Sequence, residues 1–458
     1  MSRQVETVDV LICGAGIAGI STAYFLAQRL GIHQVVIVDD LPPLSLTSDK
    51  SSEGYRNWWP GPGDAMVRLM NRSIDLLEGL AHESGNRIHL NKRGYVFLTA
   101  DPRGAETMSQ QAAQISRLGA GPLRKNGHYE YSAKEPYDSD LDGADFVQDP
   151  KVIRANFPFL AGDTLAMLHA RRCGWLSAQQ LGMYLLEQAR AAGVRLINGR
   201  VTAVEFANNR LQTVHVQAAA SQTSFSTNHF VIAAGPLLQE VAGLLNVKLP
   251  IYNEPHGKIA FEDSEGIIDR DAPLMIWNDP IQLPWSDADR AELALDEETS
   301  WLLDAFSPGL HFRPEGGAES KTILALWPYH ISKIENAHWP LSFEPDFVEI
   351  VMRGLTRMIP DLGVYLERMS APVIDGGYYT KTRENRPLIS PLPVSGAYVI
   401  GALSGFGIMA APAAAELLSA YIAGSSLPTY AGAFDLARYS EPAYRKILEN
   451  WDPTAGQL

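Results

Sequence analysis

The sequence predicts a discontinuous α/β domain built from both ends of the chain, with a mixed-sheet α+β domain inserted into it. Three observations predict this. An apolar strand, a glycine loop and a one-sided helix open the chain. From about 246 to 370 the texture changes, with Trp277, Trp285, Trp301, Trp327 and Trp339 set among short strand-like runs. After 370 the chain returns to strand, glycine-rich loop and apolar helix.

The bounds agree. A chain of 458 residues suits two large domains or two sets of interleaved segments. Apolar residues make up 46% and charged residues 20%, the balance of a globular protein with ample core. The net charge of −14, with no basic block, speaks against nucleic acid and anionic membranes, which need clustered Lys and Arg. Cys13 and Cys173 offer neither a disulfide framework nor metal-ligand spacing, so no metal site is expected. The start lacks the pattern of a secretion signal, and the expectation is a cytoplasmic enzyme. The apolar run 408–423 contains Pro412 and Glu416, so it reads as a buried helix and not as a membrane span.

In chain order, Val8, Val10, Leu11 and Ile12 form a buried strand. The next helix carries Ile17, Ile20, Tyr24, Ala27 and Leu30 on one side and stops at Gly31. Val35–Val38 is a second strand, which completes a βαβ unit. Asp64 is placed to cap a helix with Met66, Leu69, Met70, Leu76, Leu77 and Leu80. Residues 100–150 read as helix and loop of the second domain. Ser177 with Gln180 is a capping-box signature opening a helix through Ala192. Strands are expected at 194–197, 201–206, 211–216, 230–233 and 398–400, and a helix from about 411 to 423. The resulting division is 1–90, 146–245 and 371–458 for the cofactor domain, and 91–145 and 246–370 for the substrate domain.

The loop Gly14-Ala15-Gly16-Ile17-Ala18-Gly19 needs glycine at three places. Gly14 makes the tight turn, Gly16 lets backbone approach a pyrophosphate, and Gly19 lets the helix pack on the sheet. The helix N-terminus presents free N–H groups to the phosphates. Asp39 ends the next strand, where it can accept hydrogen bonds from a ribose; Asp40 beside it is more simply a solvated loop acid. This makes the domain Rossmann-like, for NAD or FAD. In the second glycine loop, Gly405 and Gly407 allow close approach to a flat ring, just before a helix N-terminus that favours negative charge.

Further segments resemble the FAD-dependent D-amino-acid oxidase family, which includes glycine oxidase, sarcosine oxidase and dimethylglycine dehydrogenase. Ser51-Ser52-Glu53-Gly54-Tyr55-Arg56 resembles the segment that passes the isoalloxazine. Val231-Ile232-Ala233-Ala234-Gly235 resembles the strand-to-glycine turn, and Gly377–Ile389 the "YTxTxDxxPxI" stretch. Ser404-Gly405-Phe406-Gly407-Ile408-Met409-Ala410-Ala411-Pro412 is similar to the "SGHGFxxAP" loop.

The resemblance implies a discontinuous Rossmann-like FAD-binding domain with an inserted mixed-sheet substrate domain. It implies FAD contacts along Gly14, Gly16, Ile17, Ala18, Gly19, Asp39, Asp40, Ser51, Ser52, Tyr55, Arg56, Val201, Ala234, Gly235, Gly405, Phe406, Gly407, Ile408 and Met409. Gly377 stands where some members link flavin to cysteine, and no histidine lies between His33 and His82, where others link it, so the FAD is expected to be non-covalent. Phe406 replaces a common histidine. The implied reaction is oxidation of a C–N bond of an amino acid or secondary amine, with oxygen or another acceptor taking the electrons. Arg56 is the candidate for the substrate carboxylate, because a guanidinium fork matches it. His256 and Lys258 are candidates for the flavin face, and Tyr379 for closing the pocket. Tyr329 and His330 are weaker candidates, Trp58 and Trp59 read first as core, and Cys173 as packing. The alternatives are a tailoring flavoenzyme acting on a larger aromatic or heterocyclic metabolite, and a flavin-binding subunit of a larger complex.

Overall fold

The structure is a computed structural model that describes residues 5–125, 127–219, 222–329, 331–368 and 370–451. Strand Val5–Cys13 lies at the centre of the first sheet, parallel to Val35–Asp39 on one side and Gln222–Ile232 on the other. Arg195–Asn198 extends the sheet beyond Val35–Asp39. Arg210–Gln217 and Arg200–Ala207 add an antiparallel edge, and Ala397–Gly401 pairs in parallel with Gln222–Ile232. The central strands are apolar on both faces because helices cover both, as parallel sheets require.

Helix Ile17–Tyr24 is buried throughout; helices Gly407–Ala423 and Ala178–Ala191 pack on it, and Ala65–Glu83 packs on Gly407–Ala423. Gly424 closes helix Gly407–Ala423 in the left-handed conformation, at φ 64°. Of the described residues, Ser404–Ala423 is long and apolar enough to cross a membrane by length and composition alone, and 72% of it is buried in this core.

The second sheet has nine strands. Its order runs Val373–Thr382, Ile251–Glu262, Thr322–Leu326, His311–Pro314, Leu274–Trp277, Tyr95–Thr99, Ala166–Ala170, Ala144–Val147 and Leu123–Lys125. Ala166–Ala170 and Val373–Thr382 come from stretches assigned to the cofactor domain by sequence, and both pair in this second sheet. Sequence texture could not place them, since a buried strand looks alike in either sheet. Trp277 and Trp327 are core residues of this unit, packed with Ile350, Leu355 and Met358.

Local expectations fare unevenly. Ser177 Oγ accepts from the Gln180 N–H at 3.3 Å and opens helix Ala178–Ala191. Asp64 stands at its helix start, but its side chain makes no cap; it lies 3.9 Å from Arg68 instead. The helix expected from about 411 begins at Gly407, and a further helix, Pro442–Glu449, follows it. Residues 100–150 contain a helix, Pro102–Ile115, capped by Asp101, and two short strands.

Candidate active site

The glycines of the first loop do different work. Gly14 has φ +115°, and a Cβ there would fall 2.3 Å from the Ala233 carbonyl oxygen. A Cβ on Gly19 would fall 2.0 Å from the Gly14 oxygen. Both are demanded by packing. At Gly16 the one near neighbour among the described residues is Ser48 Oγ, 3.2 Å from a built Cβ, so this glycine leaves open room at the helix start. Ser48 Oγ also accepts from the Ile17 N–H at 3.0 Å.

Asp39 accepts from the Ala15 N–H at 2.6 Å and from the Leu41 N–H at 2.9 Å. Burial raises its pKa, and those backbone bonds offset part of the rise. Its carboxylate thus ties the glycine loop to the second strand. Asp40 pairs with Arg200 at 2.8 Å, and both line the cleft beside the glycine loop.

These residues open a cleft of about 1260 Å³, solvent-filled space included. Its wall runs from Gly14, Gly16, Ile17, Ala18 and Asp39 past Ser51, Val201, Ala234 and Gly235 to Gly405, Gly407 and Ile408. Gly19 lies beneath it. Ala402 and Ser404 hold left-handed backbone, with φ 50° and 48°, in the loop before Gly405. Non-glycine residues in that region carry strain and gather at functional sites.

A second cavity, of about 610 Å³, adjoins the cleft and shares Tyr379, Ser404 and Gly405 with it. Ser52, Arg56, Trp59, His256, Phe406 and Met409 line this second cavity and not the cleft. Arg56 is buried, with its guanidinium 4.4 Å over the Trp59 ring. Burial lowers its pKa, with Tyr95 and Cys173 offsetting part of the cost.

His256 stacks on Tyr379 with centroids 3.9 Å apart. Its Nε2 lies 3.5 Å from Glu254 Oε2, close enough for attraction but long for a hydrogen bond. Burial lowers its pKa, and Glu254 works against that shift.

Three expected contacts are corrected by their surroundings. Tyr55 is buried beneath the site and donates to the Asn91 oxygen at 2.7 Å, so it reaches neither cavity. Lys258 donates to the Asp49 oxygen at 3.1 Å and lies 3.9 Å from Asp375; it lines neither cavity. Tyr329 is held by Glu344 in an aromatic cluster with Phe306 and Trp327. Trp58 is core, whereas Trp59 reaches the cavity. His330 lies outside the described residues. Cys173 pairs by backbone with Arg56 and has its thiol pushed up to about 12 by burial, which suits packing.

Other residues escaped the sequence reading. His311 lines the second cavity, with burial pulling its pKa down to about 4. Lys381 lines it too and pairs with Glu254 at 2.9 Å. Asn385 lines it at φ 55°, with Oδ1 buried and without a hydrogen-bond partner among the described residues. The available signal was alternation: Glu254 and His256 share one face of a strand, as do Tyr379 and Lys381.

A glycine-loop cleft tied to an aspartate, running into a buried polar cavity, defines a dinucleotide-dependent oxidoreductase site. Over residues 9–421 the chain matches the model of the FAD dependent oxidoreductase family, and it belongs to that family. FAD is therefore the cofactor, and the open room at Gly16 and the strained loop at Gly405 fit its two ends.

The chain is 26% identical over 263 residues to sarcosine oxidase subunit beta of Rhizobium meliloti (strain 1021), covering 57% of this chain and 56% of that one. It is 25% identical over 282 residues to a D-amino acid dehydrogenase of Rhizorhabdus wittichii, covering 54% and 65%. The chain thus spans little more than half the length of these curated relatives. The fold is shared with L-proline dehydrogenase from P. horikoshii at TM-score 0.73 and 19% identity, covering 95% of this chain and 99% of that one. Glycine oxidase from Geobacillus kaustophilus gives TM-score 0.71 at 16% identity, covering 94% and 99%.

Proposed function

We propose that the protein oxidises the C–N bond of an amino acid or secondary amine that carries a carboxylate, giving an imine that water then hydrolyses. The observation that carries this reading is the lining of the second cavity. It contains Arg56, Lys381, His256 and His311 and, among the described residues, no Asp or Glu. Such a lining suits an anion. The FAD-linked relatives named above act on sarcosine, D-amino acids, proline and glycine by their names, which supports the same substrate class.

Bound FAD supplies the hydride acceptor. The chain's own residues supply position and proton handling. Arg56 takes the carboxylate in a bidentate grip, braced from behind by Trp59. His256, whose pKa burial lowers, accepts the ammonium proton, which leaves the amine lone pair available. Tyr379 holds the imidazole flat, and Trp59, Trp327 and Phe406 exclude water around the reacting carbon. The helix beginning at Gly407 forms part of the cleft wall, so its N-terminal dipole favours negative charge arriving there.

The FAD is held without a covalent link. A Cβ at Gly377 would fall 2.9 Å from Lys50 Cβ, so the position that carries a cysteine elsewhere has no room for one here. Electrons leave to oxygen or to another acceptor.

The test is Arg56→Ala, assayed on an amino acid and on its amide. The variant should keep FAD and lose about 2–5 kcal/mol in kcat/KM on the acid alone. Equal losses on acid and amide would make Arg56 a brace for its loop and would point to a neutral amine as substrate.

A further inference from the structure

Two side chains address one carboxylate oxygen. Glu254 and His256 stand two apart on Ile251–Glu262, and Tyr379 and Lys381 two apart on the neighbouring strand. Register sets Glu254 opposite Tyr379 and His256 opposite Gly377, so all four side chains lie on one face of the sheet. Lys381 Nζ donates to Glu254 Oε2 at 2.9 Å. His256 Nε2 lies 3.5 Å from that same oxygen and is buried without a hydrogen-bond partner among the described residues. The lysine has the hydrogen bond, and the imidazole is left at its margin. Little water reaches the group: the side chains of Lys381, Glu254 and His256 are 1%, 4% and 11% exposed. Burial raises the Glu254 pKa, but His256 and Lys381 outweigh it and hold the carboxyl below its ordinary range. Glu254 is thus an anion that either neighbour can claim.

A buried ion pair adds little net stability, so the effect of this one is sought locally. A carboxylate beside an imidazole stabilises the imidazolium, the more so where water is excluded. Lys381 opposes that pull on His256. The other charged groups around the imidazole are engaged elsewhere or stand across the cavity. Lys258, next on the same face, is held at Asp49 and Asp375. Lys333, 4.4 Å over the Tyr252 ring, acts on Lys381, and Arg56 and His311 line the cavity with His256.

We propose that Lys381 is a positioning residue for the proton step: by holding Glu254 Oε2 it withholds the carboxylate from His256 and leaves the imidazole free to act as a base. This rests on the reading that His256 takes the substrate's ammonium proton. Without Lys381, Glu254 would turn to its other neighbour and clamp His256 as an imidazolium, which can accept no further proton.

The experiment is NMR titration of the His256 imidazole in the FAD-loaded protein, its resonance assigned by its loss in His256→Gln. In Lys381→Met the imidazole should bind its proton about tenfold more tightly than in wild type, or more. In Glu254→Gln it should bind no more tightly than in wild type. Burial then favours a neutral Lys381, since Glu254 no longer supports its charge. Adding Lys381→Met to Glu254→Gln should therefore change the affinity by less than about threefold. If Lys381→Met does not fold, Lys381→Gln, which keeps a donor without the charge, makes the same comparison. An unchanged titration in folded Lys381→Met overturns the proposal. So does a Lys381→Met effect that is as large without Glu254 as with it, because Lys381 would then act by its charge alone. The titration uses no substrate, so the two readings fail separately. If His256→Gln keeps the acid limb of amine-driven flavin bleaching, the proton assignment itself has failed. If that limb is lost while the Lys381→Met titration stays at wild type, only the role of Lys381 has.

Discussion

His256 lies against Tyr379 with ring centroids 3.9 Å apart and planes 19° from parallel. The stack fixes the imidazole plane, and burial keeps it neutral near pH 7. A base poised this way should dominate the acid limb of the rate profile. Its pKa is shifted below the ordinary 6.5, so it can accept a proton at neutral pH and loses that capacity as pH falls below its ordinary range. His256→Gln should lower kcat/KM by about 10²-fold and flatten the acid limb. Tyr379→Phe keeps the stacking face and should retain most of the rate. A His256→Gln profile with the wild-type acid limb would remove His256 from the proton step.

The glycine loop gives a contrast within one motif. Gly16→Val should fold and fail to bind FAD, because its side chain enters the room left for pyrophosphate. Gly14→Ala should lose the fold itself, since its Cβ meets the Ala233 oxygen at 2.3 Å and its φ is +115°. Circular dichroism and flavin absorbance read the two outcomes separately. Wild-type flavin content in Gly16→Val would give the loop another role. Acid treatment of the wild type should release intact FAD.

Arg313 joins the two units of the fold. It is 1% exposed, donates to the Ser52 oxygen at 2.6 Å and pairs with Glu53 at 2.9 Å; it also meets Glu315. Glu53 in turn caps helix Ala178–Ala191 through the Ala178 N–H at 2.9 Å. Arg313→Ala leaves the largely buried Glu53 without its cation, while Glu315 is part-exposed, and should cost about 3 kcal/mol in urea unfolding. A loss under about 1 kcal/mol would mean that water or a neighbour replaces it.

The parts of this site that the sequence made legible are those set by backbone. Gly14, Gly16, Gly19 and Asp39 form a local pattern whose geometry follows from one turn; Gly14, Gly16 and Asp39 line the cleft, and Gly19 packs beneath it. The loop Gly405–Ile408 was legible for the same reason. Residues contributed by side chains from distant strands were not. Nothing near Lys381 in the chain announces Glu254, 127 positions away, as its partner. His311 looked like any strand histidine until two sheets brought it to the cavity. Lys258 was a candidate with His256 through the family resemblance of their segment, but it bonds the Asp49 backbone instead. Tyr55 sat inside the quoted segment and points under the site, because alternation along that short strand turns it away from the Arg56 cavity.

The proposal stands or falls on whether Arg56 holds a carboxylate-bearing amine beside the site where bound FAD would supply the hydride acceptor. Its most direct test is anaerobic mixing of the holoprotein with a panel of amino acids and N-methyl amines while flavin absorbance is followed. The account predicts that at least one carboxylate-bearing amine bleaches the flavin within turnover time, and that the matched amide does so far more slowly. A flavin that stays oxidised with every amine, yet bleaches with a chemical reductant, would contradict it.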